Sequence, residues 1–368
     1  MGFREHARPV KRILGIVLAV LLIGGVAAAV VAGRESQGTS TATKTVRGVI
    51  GSEKAEFFAD PKVVKALAAR GFTVKTETSG SWAMEELPLD GYDFAFPSSK
   101  APADGLVKKY AVQGGPLRPF YSPLVVVAHR SAARVLADNG LATLNKGTSR
   151  GTLRMKPYLA AAGDGRTWQQ LKGAGAHAEL SGTVFITTTD PESSSSGALY
   201  LAAASYVADG GRVATDKAAV TRTAPLLKKL ISVQGAQQTS SDAPFRDFIS
   251  GVGNPLVLVY ESQVASLLLQ KQDPGDLVVL YPDTTVSSDH TLVPLTENGR
   301  ALGELLSTDK ALRTLAVRHG FRPQGDAAGF TAATAGSAAY LNQTLSGVRQ
   351  APVPTTEVLH DMALRARS

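Results

Sequence analysis

The 368-residue chain carries 39 lysines and arginines against 31 aspartates and glutamates, is 44% hydrophobic and has no cysteine. With 19% charged residues it is too apolar for a disordered chain, and its length allows roughly two or three domains. The absent cysteines exclude disulfides, thiolate metal sites, cysteine catalysis and a lipid-modified cysteine. Half of the +8 net charge sits in residues 1–34, where Arg4, Arg8, Lys11, Arg12 and Arg34 face Glu5. No basic run interleaved with aromatics follows, so nucleic acid is discarded as a partner.

Residues 1–12 read as a cytoplasmic basic segment, and Ile13–Gly33, ILGIVLAVLLIGGVAAAVVAG, follow without a charge. About 20 apolar residues span a bilayer as a helix, whereas a secretory signal core is roughly 7–15 long. Residues 13–33 are therefore expected to form an uncleaved transmembrane signal-anchor, although VAAAVVAG offers small residues that a peptidase accepts. The basic flank keeps the N-terminus inside, so the expected product is a single-pass cell-membrane protein with an extracellular C-terminal part. Residues 34–44 are a polar linker.

From there strands and helices alternate. VRGVI is β-branched and breaks at Gly51–Ser52, PKVVKALAARG has helical spacing with a closing Gly71, and GYDFAFPSS is a short apolar strand ending in a turn. The alternation predicts a mostly parallel α/β sheet. SPLVVVAHRS from Ser122 and NPLVLVYESQ from Asn254 form a near-repeat. Each sets a proline at a strand start and continues as an apolar run typical of a strand buried on both faces. As two crossings they would bracket an inserted lobe, with 45–128 plus 255–325 as lobe 1 and 129–254 as lobe 2, joined at a hinge beside a cleft. Residues 326–368 read as a C-terminal extension, low in pattern until the amphipathic PTTEVLHDMALRARS, which Thr355 or Thr356 would cap.

Candidate binding residues sit where predicted strands run into helices. In TDPESSSSG, Ser194, Ser195 and Ser196 precede a helix beginning near Gly197, where free N–H groups and the positive dipole end suit an anion or a polar small molecule. An ordinary helix cap with surrounding hydroxyls has the same spacing. Ser52 and Glu53, beside Lys54 in GSEK, and Ser98 and Ser99 in FPSS also follow strands. In open α/β sheets the ligand crevice lies beyond the carboxyl ends of the strands. Ser79, Ser81 and Trp82 form a third such loop, and turn chemistry alone would also place Gly, Ser and Pro at these points. Glu261, after Tyr260 on the second apolar strand, would bind a ligand amine or pair with a lysine. Arg118 and Asp289–His290 read as a surface salt bridge and a loop.

Nothing in the sequence supports catalysis. GTSRG at 147–151 matches G-x-S-x-G, but no buried strand precedes Ser149. The six histidines, at 6, 129, 177, 290, 319 and 360, have no metal-ligand spacing. No P-loop or dinucleotide pattern is present, so no cofactor, no metal and no enzymatic activity are expected.

The ordered set GSEKAEFF, YDFAFPSS, TDPESSSSG, NPLVLVYESQ, VVLYP and HGFRP, spanning roughly 45–325, resembles extracellular solute-binding proteins with the type 2 periplasmic-binding fold. It is most similar to membrane-anchored actinobacterial members in which this module precedes a von Willebrand factor type A domain. In those relatives a segment like PVPTTEVLHDMALRAR leads into that domain, whereas this sequence ends at Ser368. The resemblance implies two α/β lobes in a Venus-flytrap arrangement with two crossing strands, preceded by one transmembrane helix. It implies ligand loops at Ser194–Ser196 and a small polar or anionic solute held between the lobes. A membrane transporter or a von Willebrand factor type A protein is the further partner expected. On that reading the protein serves transport or sensing, and the alternative is an interaction scaffold with a vestigial cleft.

Overall fold

The computed structural model describes residues 43–368, and the signal-anchor expected at 13–33 lies outside them. Among the described residues no helix is long and apolar enough to cross a membrane. In chain order the strands are β1 (Lys44–Ile50), β2 (Phe72–Thr78), β3 (Phe94–Phe96), β4 (Leu117–His129), β5 (Ala142–Leu144), β6 (Arg150–Leu153), β7 (Leu256–Tyr260), β8 (Leu277–Pro282), β9 (Thr284–Thr285), β10 (Ser287–Pro294), β11 (Arg322–Pro323) and β12 (Arg349–Gln350). One sheet runs in the order β2-β1-β3-β10-β4-β8-β6-β5, with β7 and β11 also paired to β4, and β12 pairs with β9.

β4 organises this sheet. Its N-terminal part pairs with β10 and β11, and from Leu124 onward it lies between β7 and β8. The partners change at Pro123, which has no N–H to give a ladder, and Leu124 N–H then donates to Val286 O at 3.1 Å. All four pairings of β4 are antiparallel, while β1–β2, β1–β3 and β6–β8 are parallel. The sheet is thus mixed where the alternation of elements predicts a mostly parallel one. The proline expected at a strand start lies inside a 13-residue strand. The passage back is also not the one expected at Asn254, because β7 pairs only with the C-terminal part of β4. The chain returns through β8 and β10, across Asp283–Val286.

Each half of the sheet has its own packing. Phe57, Phe58, Phe94, Phe96, Phe120 and Phe321 fill the first half, in edge or tilted contacts with centroids 4.4–6.5 Å apart. In the second half the helix Ser195–Ala208 is buried nearly all round, which is why its sequence is apolar on every face. The helix Thr356–Arg367, capped by Thr355 accepting from Val358 N–H, buries Val358, Leu359, Met362, Ala363 and Ala366 in the same core. It also reaches the first half, where Thr356 Oγ1 donates to Ala101 O at 3.1 Å and the His360 ring lies 4.3 Å from that of Trp82.

This predicts that Leu359→Ala or Met362→Ala costs about 2–5 kcal/mol, the range for emptying a fully buried site. Urea unfolding is expected to show a lower midpoint with an unchanged slope. A midpoint within error of wild type would mean that this helix is not part of the cooperative core.

Candidate functional site

Four loops converge where the two halves face each other. Gly51–Lys54 follows β1, Ser79–Trp82 follows β2 and Pro97–Ser99 follows β3, all at carboxyl ends of strands. The fourth is the serine run ahead of the helix Ser195–Ala208 in the second half, joined there by Thr239–Ser241 ahead of the helix Asp242–Ile249. Ser99 and Ser194 are the N-caps of their helices, and neither side chain caps its own helix; both hydroxyls pair instead with other serines, Ser99 with Ser195 and Ser194 with Ser196.

Hydroxyls meet across the interface. Ser99 Oγ lies 2.7 Å from Ser195 Oγ, Ser240 Oγ donates to Ser52 Oγ at 2.9 Å, and Trp82 N–H donates to Ser193 O at 3.0 Å. Ser196 Oγ lies 2.7 Å from Thr189 Oγ1, which also accepts from Gly197 N–H, tying the serine run to its own loop. A Cβ on Gly197 would lie 2.3 Å from Thr189 O, so glycine is what allows that loop to close on the first turn. The inner cleft lined by Ser52, Glu53, Ser81, Ser98, Ser194 and Tyr260 leaves water about 10 Å³, no more than one molecule needs.

Below the hydroxyls lies a buried charge cluster. The carboxylate of Glu53, its side chain 2% exposed, pairs with the wholly buried Lys54 ammonium. Ser98 Oγ donates to Glu53 Oε1 at 2.7 Å, and His290 Nδ1 lies 3.2 Å from the same oxygen. Those contacts all fall on Oε1, while Oε2 lies over Gly51, where an added Cβ would stand 2.6 Å from it. Burial alone would raise the Glu53 pKa, but Lys54 and His290 overcome it and hold the group well below the usual carboxylate range. Burial, with Lys54 adding to it, pushes His290 down to about 4, so the ring is neutral at pH 7. The Tyr260 hydroxyl is pushed far up by burial and by Glu53, and stays protonated as a donor.

Seven of the eight expected site residues, Ser52, Glu53, Ser98, Ser99, Ser194, Ser195 and Ser196, lie in this constellation. Glu261 does not. It is fully buried against Arg322, with Arg322 Nε donating to Oε2 at 2.6 Å and Nη2 to Oε1 at 3.0 Å, and it also accepts from Tyr281 Oη. Arg322 in turn donates to Asn342 O and Gln343 O and covers the Phe330 ring at 3.9 Å, pinning residues 327–345 to the sheet. Arg118 pairs with Asp289 at 3.1 Å on the surface, as expected. Ser149 accepts from Arg130 Nη2 at 2.9 Å, and among the described residues no histidine or carboxylate is bonded to its hydroxyl.

Sequence reasoning set His290 aside as loop and did not single out Ser240 or Asp242. His290 stands in the interior of β10, yet SSDH carries no apolar signal of burial. SSDAPF, by contrast, repeats the hydroxyl-then-helix pattern of SSSSGA and offered a usable sign.

Many solved structures resemble the described fold, three of them as follows. The sulfate-binding protein SubI from Mycobacterium tuberculosis H37Rv superposes with a TM-score of 0.52 at 18% identity, over 84% of this chain and 92% of that one. A periplasmic thiamin binding protein gives 0.52 at 14%, over 91% and 100%. Iron-bound HitA from Pseudomonas aeruginosa gives 0.52 at 12%, over 88% and 98%. No family model matches the sequence, and no curated protein matches it. The fold is therefore a mixed α/β fold of the type 2 periplasmic-binding-protein kind. The first two of these carry the name of binding proteins, and the third is described as iron-bound.

The charge cluster sets a pH dependence. An unfolded histidine takes its proton near pH 6.5 and His290 only near 4, so protonation favours the unfolded chain. Stability from this group is complete above about pH 6.5 and falls toward pH 4 by about 1.4 kcal/mol per unit. His360, lowered by burial, acts with the same sign, and Glu53 adds a loss as pH falls below its unfolded value near 4.5. Urea melts at pH 7 and 4.5 should separate by a few kcal/mol in wild type and by clearly less in His290→Gln. Equal separations would sink the assignment.

The Glu261 pair predicts a different outcome. Glu261→Ala strands a buried guanidinium and should cost about 3–5 kcal/mol, while Glu261→Leu combined with Arg322→Met should recover much of that loss in the same melts. If the single and double variants are equally destabilised, the pair is not the source of the cost.

Proposed function

We propose that the chain is a membrane-anchored extracellular solute-binding protein that holds a small polar or anionic solute between two lobes. The observation carrying this reading is the meeting of hydroxyls from both halves, Ser99 with Ser195 and Ser52 with Ser240, at the helix starts where a cleft would close. The likeness to proteins named for binding sulfate and thiamin, and to one described as iron-bound, supports the class of function. A closing cleft desolvates its ligand, which strengthens each polar contact. The change of partners along β4 supports placing the hinge at Pro123 and at Asp283–Val286. Delivery to a transporter, or action beside a von Willebrand factor type A protein, belongs to this reading.

Glu53 Oε2 takes none of the contacts made by Lys54, Ser98 and His290, which leaves an acceptor on the cleft floor for a polar solute that donates hydrogen bonds. The small inner volume and the mutual pairing of the serines favour one second reading, a scaffold ectodomain whose inner cleft is vestigial.

A thermal-shift panel of oxyanions, amino acids, sugars and polyamines separates the two. A ligand at about 100 times its Kd adds roughly 2.7 kcal/mol, or several degrees in Tm. A selective rise that is lost when Ser194–Ser196 are replaced together by alanine is expected. Silence from a folded protein across the panel would favour the scaffold.

A further inference from the structure

Beside the inner cleft, and sharing Ser52 and Glu53 with it, lies a larger pocket of about 350 Å³ at the outer edge between the halves. Its volume is in the range that takes a small ligand. Glu53 and Glu56 reach it from the first half and Asp242 from the second, against one arginine, Arg246. Arg246 is exposed, whereas Asp242 is partly buried and accepts from Gln263 Nε2 at 2.8 Å. The Asp242 pKa is raised, first by burial and then by the Glu53 charge, so two carboxylates from opposite halves feel each other across this space.

Two further buried groups give onto the same pocket without partners. Among the described residues Ser262, 1% exposed, has no hydrogen-bond partner for its Oγ, and His319, 7% exposed, has none for its Nδ1. His319 Nε2 lies 2.9 Å from the Asp60 carboxylate, which only accepts, so Nε2 carries a proton and Nδ1 is the acceptor of that tautomer. Unpaired buried polar groups are costly, and here they sit with Asp242 and Glu53 on one wall-to-wall set of acceptors. Ala55, Phe245, Ile249 and Leu267 supply the apolar lining between them. Among the described residues no three His, Asp or Glu side chains come close enough to hold a metal ion.

We propose that this outer pocket binds an organic cation, an alkylammonium whose N–H groups answer Asp242, Glu53, Ser262 Oγ and His319 Nδ1 while its methylenes lie on Phe245 and Leu267. The assignment rests on the binding-cleft reading and narrows it from polar solutes to amines. Acceptors spread along an apolar wall, and not gathered at a point, select a chain with separated amino groups over a bare metal ion. Carboxylates drawn from both halves make the cation a bridge, because its charge relieves their repulsion only when the halves are together.

The test is calorimetric titration of the full chain with putrescine and spermidine, alongside sodium sulfate and glucose. At least one amine should bind, and sulfate and glucose should not. Asp242→Asn, which keeps the bond from Gln263, should weaken the amine roughly tenfold or more, the scale of a charge-assisted hydrogen bond. Ser262→Ala should weaken it by a smaller factor, and melting curves should confirm that both variants fold. Binding of sulfate or glucose with silence from both amines overturns the cation while leaving solute binding intact. Silence from all four with a native melt removes the cation and counts against the cleft reading as well. An amine that binds Asp242→Asn as tightly as wild type overturns the pocket.

Discussion

Everything in this molecule hangs on β4, because one strand is the shared member of both halves of the sheet. Thirteen residues long, it gives its first part to β10 and β11 and its second to β7 and β8. Side chains alternate strictly along a strand, so its register sets simultaneously which residues each half buries. Pro123 removes one donor at the changeover, and Ser122 beside it is fully buried with its Oγ accepting from Ser262 N–H at 2.9 Å. The changeover thus falls where the ladder lacks a donor and where a buried side chain ties β4 to the first helical turn after β7.

The cleft floor uses charge in a different way. Burying Glu53 and Lys54 costs several kcal/mol per ion, and such a pair seldom contributes net stability. What it does supply is a fixed carboxylate with Oε1 saturated by Lys54, Ser98 and His290. The Lys54 ammonium balances that carboxylate, so the pair adds no net charge to the cleft floor. His290 stays neutral at physiological pH and leaves this balance unchanged.

The degree to which this was legible follows from the range of each signal. The serine loops could be read because they obey a local rule, hydroxyls just past a strand and just before a helix, which needs no knowledge of the partner half. Glu261 obeyed the same local rule and still lies elsewhere, since Arg322, the residue that captures it, is 61 positions away. Lys54 and His290 are 236 positions apart, and nothing in GSEK or SSDH marks them as buried together. The strand PLVLVY was read correctly as buried on both faces, but a buried strand looks the same whether it crosses between halves or stays in one. Direction failed for a related reason: alternation of helix and strand favours parallel pairing, and it does not report a long strand whose partners all return antiparallel.

Closure itself limits where binding energy can come from. Ser99–Ser195 and Ser52–Ser240 are neutral hydrogen bonds worth about 0.5–1.5 kcal/mol each, and a solute that enters the inner cleft must break them. Replacing one neutral hydrogen bond by another is nearly isoenergetic, so hydroxyl contacts there confer selectivity more than affinity. Trp82 on His360 and Thr356 on Ala101 add contacts between the halves that no solute replaces, and these favour closure whatever is bound. A ligand shifts a closing equilibrium only by its differential affinity for the closed form. Among the described residues the buried groups of this cleft edge left without a partner are Ser262 Oγ and His319 Nδ1, and a ligand that meets them only in the closed form would gain its differential affinity there.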